Sequence, residues 1–450
     1  MSTPARLPAS QLAIYAVGQF GWSLASYAAL NLLLYFYLPP ESGGEPLFPP
    51  FIYQGAVLGV ATVIGLLNAG SRLFDAVTDP WIAGLSDRLR GRRGKRKRLM
   101  GWAALPFALF SVLLFIPLPG IGMWGNTVWL TLNLLAFFFF LTLYVIPYTA
   151  LIGELGHHPD DRMKISTWIS VTWALGFLVG GGAYAFQDML AGSWGNTRAL
   201  QLVVGAYGLL ALFAMLVPVF FLNETRYAQQ QDTDTDVRAA LRRVWADRNF
   251  RRFGTADMLY WLALTFIQLG VSYYATTLLG LSVSYATVFL GVGFLGSFLL
   301  YWPVNRAVAV LGKKRVLASA FLVFAALFLT TFCIPYLPLS GEILIYLLAI
   351  WSAYPIAVFS IVPNALLADL VHRAGRETGS YQPGMYYAAR NFLMKVGITL
   401  ANLLFPSLLL LGKSTENATG IRLTALFAFA FLLFGAWQFS RYREQHRAVG

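Results

Sequence analysis

The chain has 450 residues, of which 58% are hydrophobic and only 12% charged, with a formal net charge of +13. Soluble domains carry about 25% charged residues, so this composition excludes an ordinary soluble domain and points to a protein of many membrane spans. The basic excess sits between long apolar segments, as cytoplasmic anchors do against anionic headgroups, which argues against nucleic acid as a partner; the single Cys333 excludes a disulfide framework or a Cys-based metal site.

A bilayer core takes roughly 20 apolar residues per helix, and counting such runs predicts twelve. They lie at 11–38, 54–86, 99–118, 126–153, 164–187, 200–222, 254–279, 284–311, 315–335, 342–371, 384–411 and 420–440. The first run, Leu12 to Leu38, is too long for a signal h-region and is expected to span. The second carries two carboxylates, Asp75 and Asp79, four residues apart and hence one turn apart on one helix face. Ionisable groups at that depth are costly and mark ion or solute pathways. The run ends in the basic cluster Arg88 to Arg98. The later even-numbered connections are basic as well: Arg162 with Lys164, Arg238 to Arg252, Lys313 to Arg315, and Arg373 with Arg376. The tail adds Arg441, Arg443 and Arg447, and the odd connections are poor in Lys and Arg, so both termini are expected in the cytoplasm of a multi-pass cell-membrane protein.

The longest polar connection divides the chain into a six-helix bundle over 1–223, a cytoplasmic linker over 224–252, with an amphipathic stretch from Val237 to Trp245, and a second six-helix bundle over 253–450. The halves resemble each other. Arg88, Gly94 and Lys95 recur as Arg306, Gly312 and Lys313, and the segment Pro147 to Leu155 recurs, one residue shorter, as Pro363 to Leu370. The expected architecture is an all-α membrane protein of two pseudo-symmetric six-helix bundles, with the site near the midplane as in many duplicated transporters.

Three motifs in order carry a family resemblance. Arg72-x-x-Asp75-x-x-x-Asp79-Pro80 followed by Gly84-x-x-Asp87-Arg88 is the first. Pro147-Tyr148-x-Ala150-Leu151-x-x-Glu154 followed by Asp161-Arg162 is the second. Ala368-Asp369, then Glu377-Thr378-Gly379, Gly384 and Phe392-Leu-Met-Lys395-x-Gly397, is the third. Together they resemble the glycoside–pentoside–hexuronide cation symporters, the melibiose-permease-like branch of the major facilitator superfamily, across all twelve runs. The resemblance implies the major facilitator fold and symport of a small solute such as a glycoside, driven by Na+ or H+ through alternating access. It assigns cation binding to Asp75 and Asp79, with Thr142 as a neutral oxygen ligand and Lys395 beside them. Hard cations favour such oxygen donors, and two carboxylates with one ammonium leave one negative charge for a single cation. A proton is the other candidate, since crowding and burial favour the neutral form of a carboxylate. A static ion-pair network of Arg72, Asp75, Asp79 and Lys395 is the structural alternative.

The departures bear on the solute. Where sugar transporters of the family carry a Lys-Asp pair after Phe-Gly, this chain has Trp22 and Ser23, and the acidic and arginine positions further on are Val145 and Ser170. Glu377 replaces the family's Lys. Sodium-dependent lysophosphatidylcholine transporters resemble the chain at the aspartates and the lysine and likewise lack the first-helix acid, so an amphiphile is an alternative solute. Cavity candidates offering an apolar face with a hydrogen bond, or an amide or hydroxyl, are Trp22, Ser23, Tyr148, Gln268, Tyr273, Trp351, Tyr354 and Asn391. Gating charges at the expected cytoplasmic ends are Asp87, Arg88, Glu154 with Arg162, and Asp369 with Arg373. An intramembrane prenyltransferase would want a second Asp-x-x-x-Asp helix, which no other run supplies, so no enzyme is expected. An uncoupled scramblase or channel would not need ionisable aspartates. The expected partners are the solute, the coupling cation and the bilayer, with no cofactor and a monomeric state.

Overall fold

The computed structural model describes residues 7–40, 47–57, 61–88, 95–155, 159–227, 242, 244–378 and 383–442. The chain divides into two compact units, Met1–Pro39 with Gly44–Thr233, and Asp234–Gly450 with Pro40–Gly43. The Val237 to Trp245 stretch lies largely outside the described residues.

In the first unit, α1 (Ala9–Tyr27) passes through a π-helical turn (Ala28–Leu32) into α2 (Leu33–Tyr37) as one continuous span, stopped before Pro39 and Pro40. The second run does not begin helical at residue 54 as the sequence suggests. Strand β1 (Ala56–Val57) pairs antiparallel with β2 (Ala61–Thr62), Ala56 opposite Thr62. The Thr62 hydroxyl then accepts from the Gly65 N–H at 3.1 Å, so α3 (Val63–Arg88) starts where an N-cap satisfies its first free donors. The unit continues with α4 (Lys95–Leu113), α5 (Gly122–Leu155), α6 (Pro159–Gly181), α7 (Ala183–Trp194), α8 (Asn196–Phe221) and the short α9 (Glu224–Tyr227). The fifth span is longer than the 164–187 expected and breaks at Gly182 between α6 and α7.

The second unit opens with α10 (Arg248–Tyr273), capped by Asp247, whose Oδ1 accepts from the N–H groups of Asn249 at 2.8 Å and Phe250 at 3.3 Å. A π-helical turn (Tyr274–Leu278) ends it. Then follow α11 (Tyr285–Leu311), α12 (Lys313–Cys333), α13 (Gly341–Thr378), α14 (Pro383–Leu409) and α15 (Thr419–Ser440). Taking each interrupted span as one, the described residues form six spans per unit, the expected twelve. Nine of them are long and apolar enough to cross a bilayer by length and composition alone. The other three are dilute in apolar residues: the first carries Gln11, Gln19, Ser23 and Ser26, α3 carries Arg72, Asp75 and Asp79, and α4 starts with Lys95 to Arg98.

Packing repeats between the units as the sequence does. In the first, α1 packs on α6 and α8, α3 on α5, and α4 on α5 and α8. In the second, α10 packs on α14 and α15, α11 on α13, and α12 on α13 and α15, which is the same pattern by span number. The first span of each unit also contains a π-helical turn, in its second half in the first unit and at its end in the second. Small residues permit the close crossings. A Cβ at Gly176 would strike the Ser23 Oγ and lie 3.0 Å from the Phe20 carbonyl oxygen and 3.1 Å from the Leu24 nitrogen. Backbone cannot yield as a side-chain tip does, so Gly176→Leu should cost about 3 kcal/mol by overpacking and lower the melting temperature in detergent. Gly70→Ala is the control: nothing lies within 4 Å of that position, and the melting temperature should not fall.

Candidate cation and solute sites

Helices α3 and α5 bring the aspartate pair against Thr142. Asp75 and Thr142 are buried, at 4% and 3% exposure, while Asp79 is half-buried. The Thr142 hydroxyl donates to Asp75 Oδ1 at 2.6 Å and stands 3.5 Å from Asp79 Oδ1. A hydroxyl has one proton, here committed to Asp75, so its lone pairs remain to face a cation held between the two carboxylates. The Thr78 hydroxyl donates to the Asp75 carbonyl oxygen at 3.1 Å and ties down the turn between the aspartates. Arg72 lies over the Phe138 ring, 4.9 Å from its centroid, and its guanidinium also interacts electrostatically with Asp75. Lys395 is half-buried on α14 in the second unit. Among the described residues no three His, Cys, Asp or Glu side chains gather as a transition-metal site requires.

The cavity candidates separate by packing. Tyr148 is fully buried, stacked on Tyr15 at 4.4 Å, and the two hydroxyls donate to each other's carbonyl oxygens at 2.6 and 2.7 Å. Ser23 is fully buried at the α1–α6 crossing and donates to the Phe20 carbonyl oxygen at 3.0 Å. Tyr273 is fully buried near Phe405. These three are core residues here, because a hydroxyl that completes its bonds on backbone carbonyls or packs under an aromatic ring has no open face for a solute. Trp22 and Gln268 are half-buried, and the Trp22 indole N–H is enclosed with no partner among the described residues. Tyr354 shares a 2.7 Å hydrogen bond with Ser319, whereas Trp351 and Asn391 are exposed.

The acidic ends of α5 and α13 find partners other than those read from sequence. Glu154 Oε1 accepts from Arg96 Nη2 at 2.8 Å and Nε at 3.2 Å, and Arg96 Nη1 also donates to the Ser86 hydroxyl. Glu224 caps α4, its Oε1 accepting from the Arg96 N–H at 3.1 Å and its Oε2 from the Lys97 N–H at 3.0 Å. In the second unit Asp369 pairs with Lys313 at 2.5 Å. In both repeats, therefore, the carboxylate ending the fourth span meets a base at the start of the third. The sequence paired Asp369 with Arg373 along the chain, whereas the fold gives Asp369 the Lys313 ammonium across helices; the expected Glu154–Arg162 pair falls outside the described residues. The side chains of Asp87, Arg88 and Arg162 lie outside the described residues.

One cluster escaped the sequence reading. Asp257 on α10 is 3% exposed and accepts from Arg390 on α14, Nε to Oδ2 at 2.8 Å and Nη2 to Oδ1 at 3.1 Å. Arg390 Nη1 donates to Asn364 Oδ1 on α13 at 2.7 Å. Its signal was available, since both charges fall inside runs assigned to the membrane, as the α3 aspartates do.

Comparison with known proteins adds lineage to this geometry. The family model described as "MFS/sugar transport protein" matches residues 14–437. The inner membrane symporter YicJ of Escherichia coli (strain K12) is 24% identical over 403 residues, covering 85% of this chain and 83% of that protein. The isoprimeverose transporter of Lactiplantibacillus pentosus is 27% identical over 163 residues, 36% of this chain and 30% of its own length. Among solved structures, the inward open xylose transporter XylE from E. coli superposes with a TM-score of 0.68 at 14% identity, over 98% of this chain and 97% of that one, a likeness of fold.

Proposed function

The chain belongs to the MFS/sugar transport protein family, which makes it a multi-pass membrane transporter, and from that premise we propose a cation-coupled symporter of a small polar solute in which Asp75, Asp79 and Thr142 bind the coupling ion. The observation that carries the ion assignment is the Thr142 hydroxyl set between two carboxylates at 2.6 and 3.5 Å. Two like charges one helix turn apart at membrane depth repel and are poorly solvated, so the unliganded pair is costly and a bound Na+ or proton relieves it. Coupling follows if solute and ion each favour the same state of an alternating-access cycle, since each ligand shifts that equilibrium only by its differential affinity. The chain would operate as a monomer in the cell membrane with both termini cytoplasmic.

Named relatives support a glycosidic solute, whereas Ser23, Val145 and Ser170, standing where sugar transporters of this kind carry charge, favour a second reading, an amphiphile such as a lysophospholipid. The test is the melting temperature of purified protein in sodium against choline across pH, alone and with isoprimeverose or lysophosphatidylcholine. A ligand of the folded state raises it by mass action. A sodium-dependent rise enhanced by isoprimeverose is the expected result. A response to pH alone reassigns the ion to a proton, enhancement by lysophosphatidylcholine alone reassigns the solute, and no response to either cation overturns coupling at this pair.

A further inference from the structure

The buried pair in the second unit calls for an explanation beyond stability. A buried ion pair is often no more stable than apolar residues of the same volume, and ionisable groups within a membrane-spanning helix are functional by default. Asp257 stands nine residues into α10 and Arg390 seven into α14, about 14 and about 10 Å along their helices, within the spans rather than at their first turns. Three of the five Arg390 N–H groups are taken up among the described residues: Nε and Nη2 bind Asp257, and Nη1 binds Asn364. Asp257 is enclosed, while Asn364 and the neighbouring Asn391 are exposed. The cluster is thus a closed charge pair with an open rim.

Resting on the symporter reading above, we infer that Arg390 and Asn364 form a recognition subsite for a neutral, polyhydroxylated solute, and that Asp257 acts as the positioning residue that sets its charge preference. A diol oxygen accepts from the remaining Nη N–H groups, and its hydroxyl donates to the second lone pair of Asn364 Oδ1. Because Asp257 already cancels the guanidinium charge, a neutral solute leaves no uncompensated charge in the membrane, whereas an organic anion would.

The test uses full-length protein in sodium, with melting temperature titrated against isoprimeverose, neutral methyl pentosides and methyl hexosides, and the matching uronates. Wild type should respond to at least one neutral glycoside and to no uronate. Arg390→Gln and Asn364→Ala should each weaken the neutral glycoside about tenfold or more, as loss of a charge-assisted or paired hydrogen bond does, while keeping the sodium response. Asn364 is exposed, so its variant keeps the test open if Arg390→Gln fails to fold. Asp257→Asn should move the preference toward the uronate, a change that mere loss of packing would not produce. Neutral-glycoside affinity within twofold of wild type in Asn364→Ala and Arg390→Gln overturns the inference. So does a wild type that answers sodium but no neutral glycoside. A wild type that answers neither sodium nor pH overturns the symporter reading instead.

Discussion

Asp75→Asn is expected to abolish cation-driven accumulation and to weaken sodium binding by about two orders of magnitude, or ~3 kcal/mol, the scale of losing one charged partner in an enclosed pair. The amide keeps an oxygen for the Thr142 hydroxyl, which now donates to Asp75 at 2.6 Å, so shape and packing persist while the charge does not. Without a cation the wild-type pair repels, and the variant should therefore melt no lower than wild type in choline and show a flattened response to sodium. Thr142→Val is the graded companion. It removes only a neutral oxygen and should cost about tenfold in sodium affinity, with Thr142→Ser recovering it. Sodium titrations of melting temperature and uptake into vesicles check both, and full accumulation in Asp75→Asn would remove this carboxylate from the ion site.

The second large effect is on stability. Arg96→Ala should destabilise the first unit by about 3–5 kcal/mol, because it leaves Glu154 as an uncompensated charge at 11% side-chain exposure and deprives the Ser86 hydroxyl of its donor. Glu154→Gln should cost much less, since the amide oxygen still accepts from the guanidinium. The double variant Arg96→Ala with Glu154→Ala should recover part of the loss, with a coupling energy well above that of a surface pair. Lys313→Ala in the other repeat gives the contrast: its partner Asp369 is 54% exposed in its side chain, and a pair in contact with water contributes about 1 kcal/mol or less. Denaturation followed by tryptophan fluorescence compares them, and equal losses at the two repeats would contradict the burial argument.

What could be read from residues alone follows the range of the interactions involved. Apolar runs are local, and the twelve spans emerge from counting them. Their ends depend on capping and strand pairing, so the start of α3 at Val63 was hidden behind an apolar stretch that Thr62 and the β1–β2 pair divert. The spacing of Asp75 and Asp79 is a one-turn relation and legible as such, while Thr142 entered through family resemblance because a hydroxyl in an apolar helix has no signature of its own. Tyr148 illustrates the limit for cavity residues: nothing in the sequence says that its hydroxyl is spent on the Tyr15 carbonyl oxygen 133 positions away. Arg96 and Lys313 were likewise unreachable as partners of Glu154 and Asp369, since only the third span's return beside the fourth joins them. The π-helical turns in the first span of each unit had no sequence cue at all.

The connection between the halves is fastened at both ends. Glu224 holds its beginning to the first turn of α4, and Asp247 holds its end to the first turn of α10 and accepts from the Tyr386 hydroxyl at 3.4 Å. Each fastening lies wholly within its own unit. A break in the peptide chain between them would leave both caps in place, since every residue that makes each cap lies on one side of it. The covalent link also guarantees equal copy number and joint synthesis, which a gene encoding one bundle alone would have to obtain by pairing two separate products.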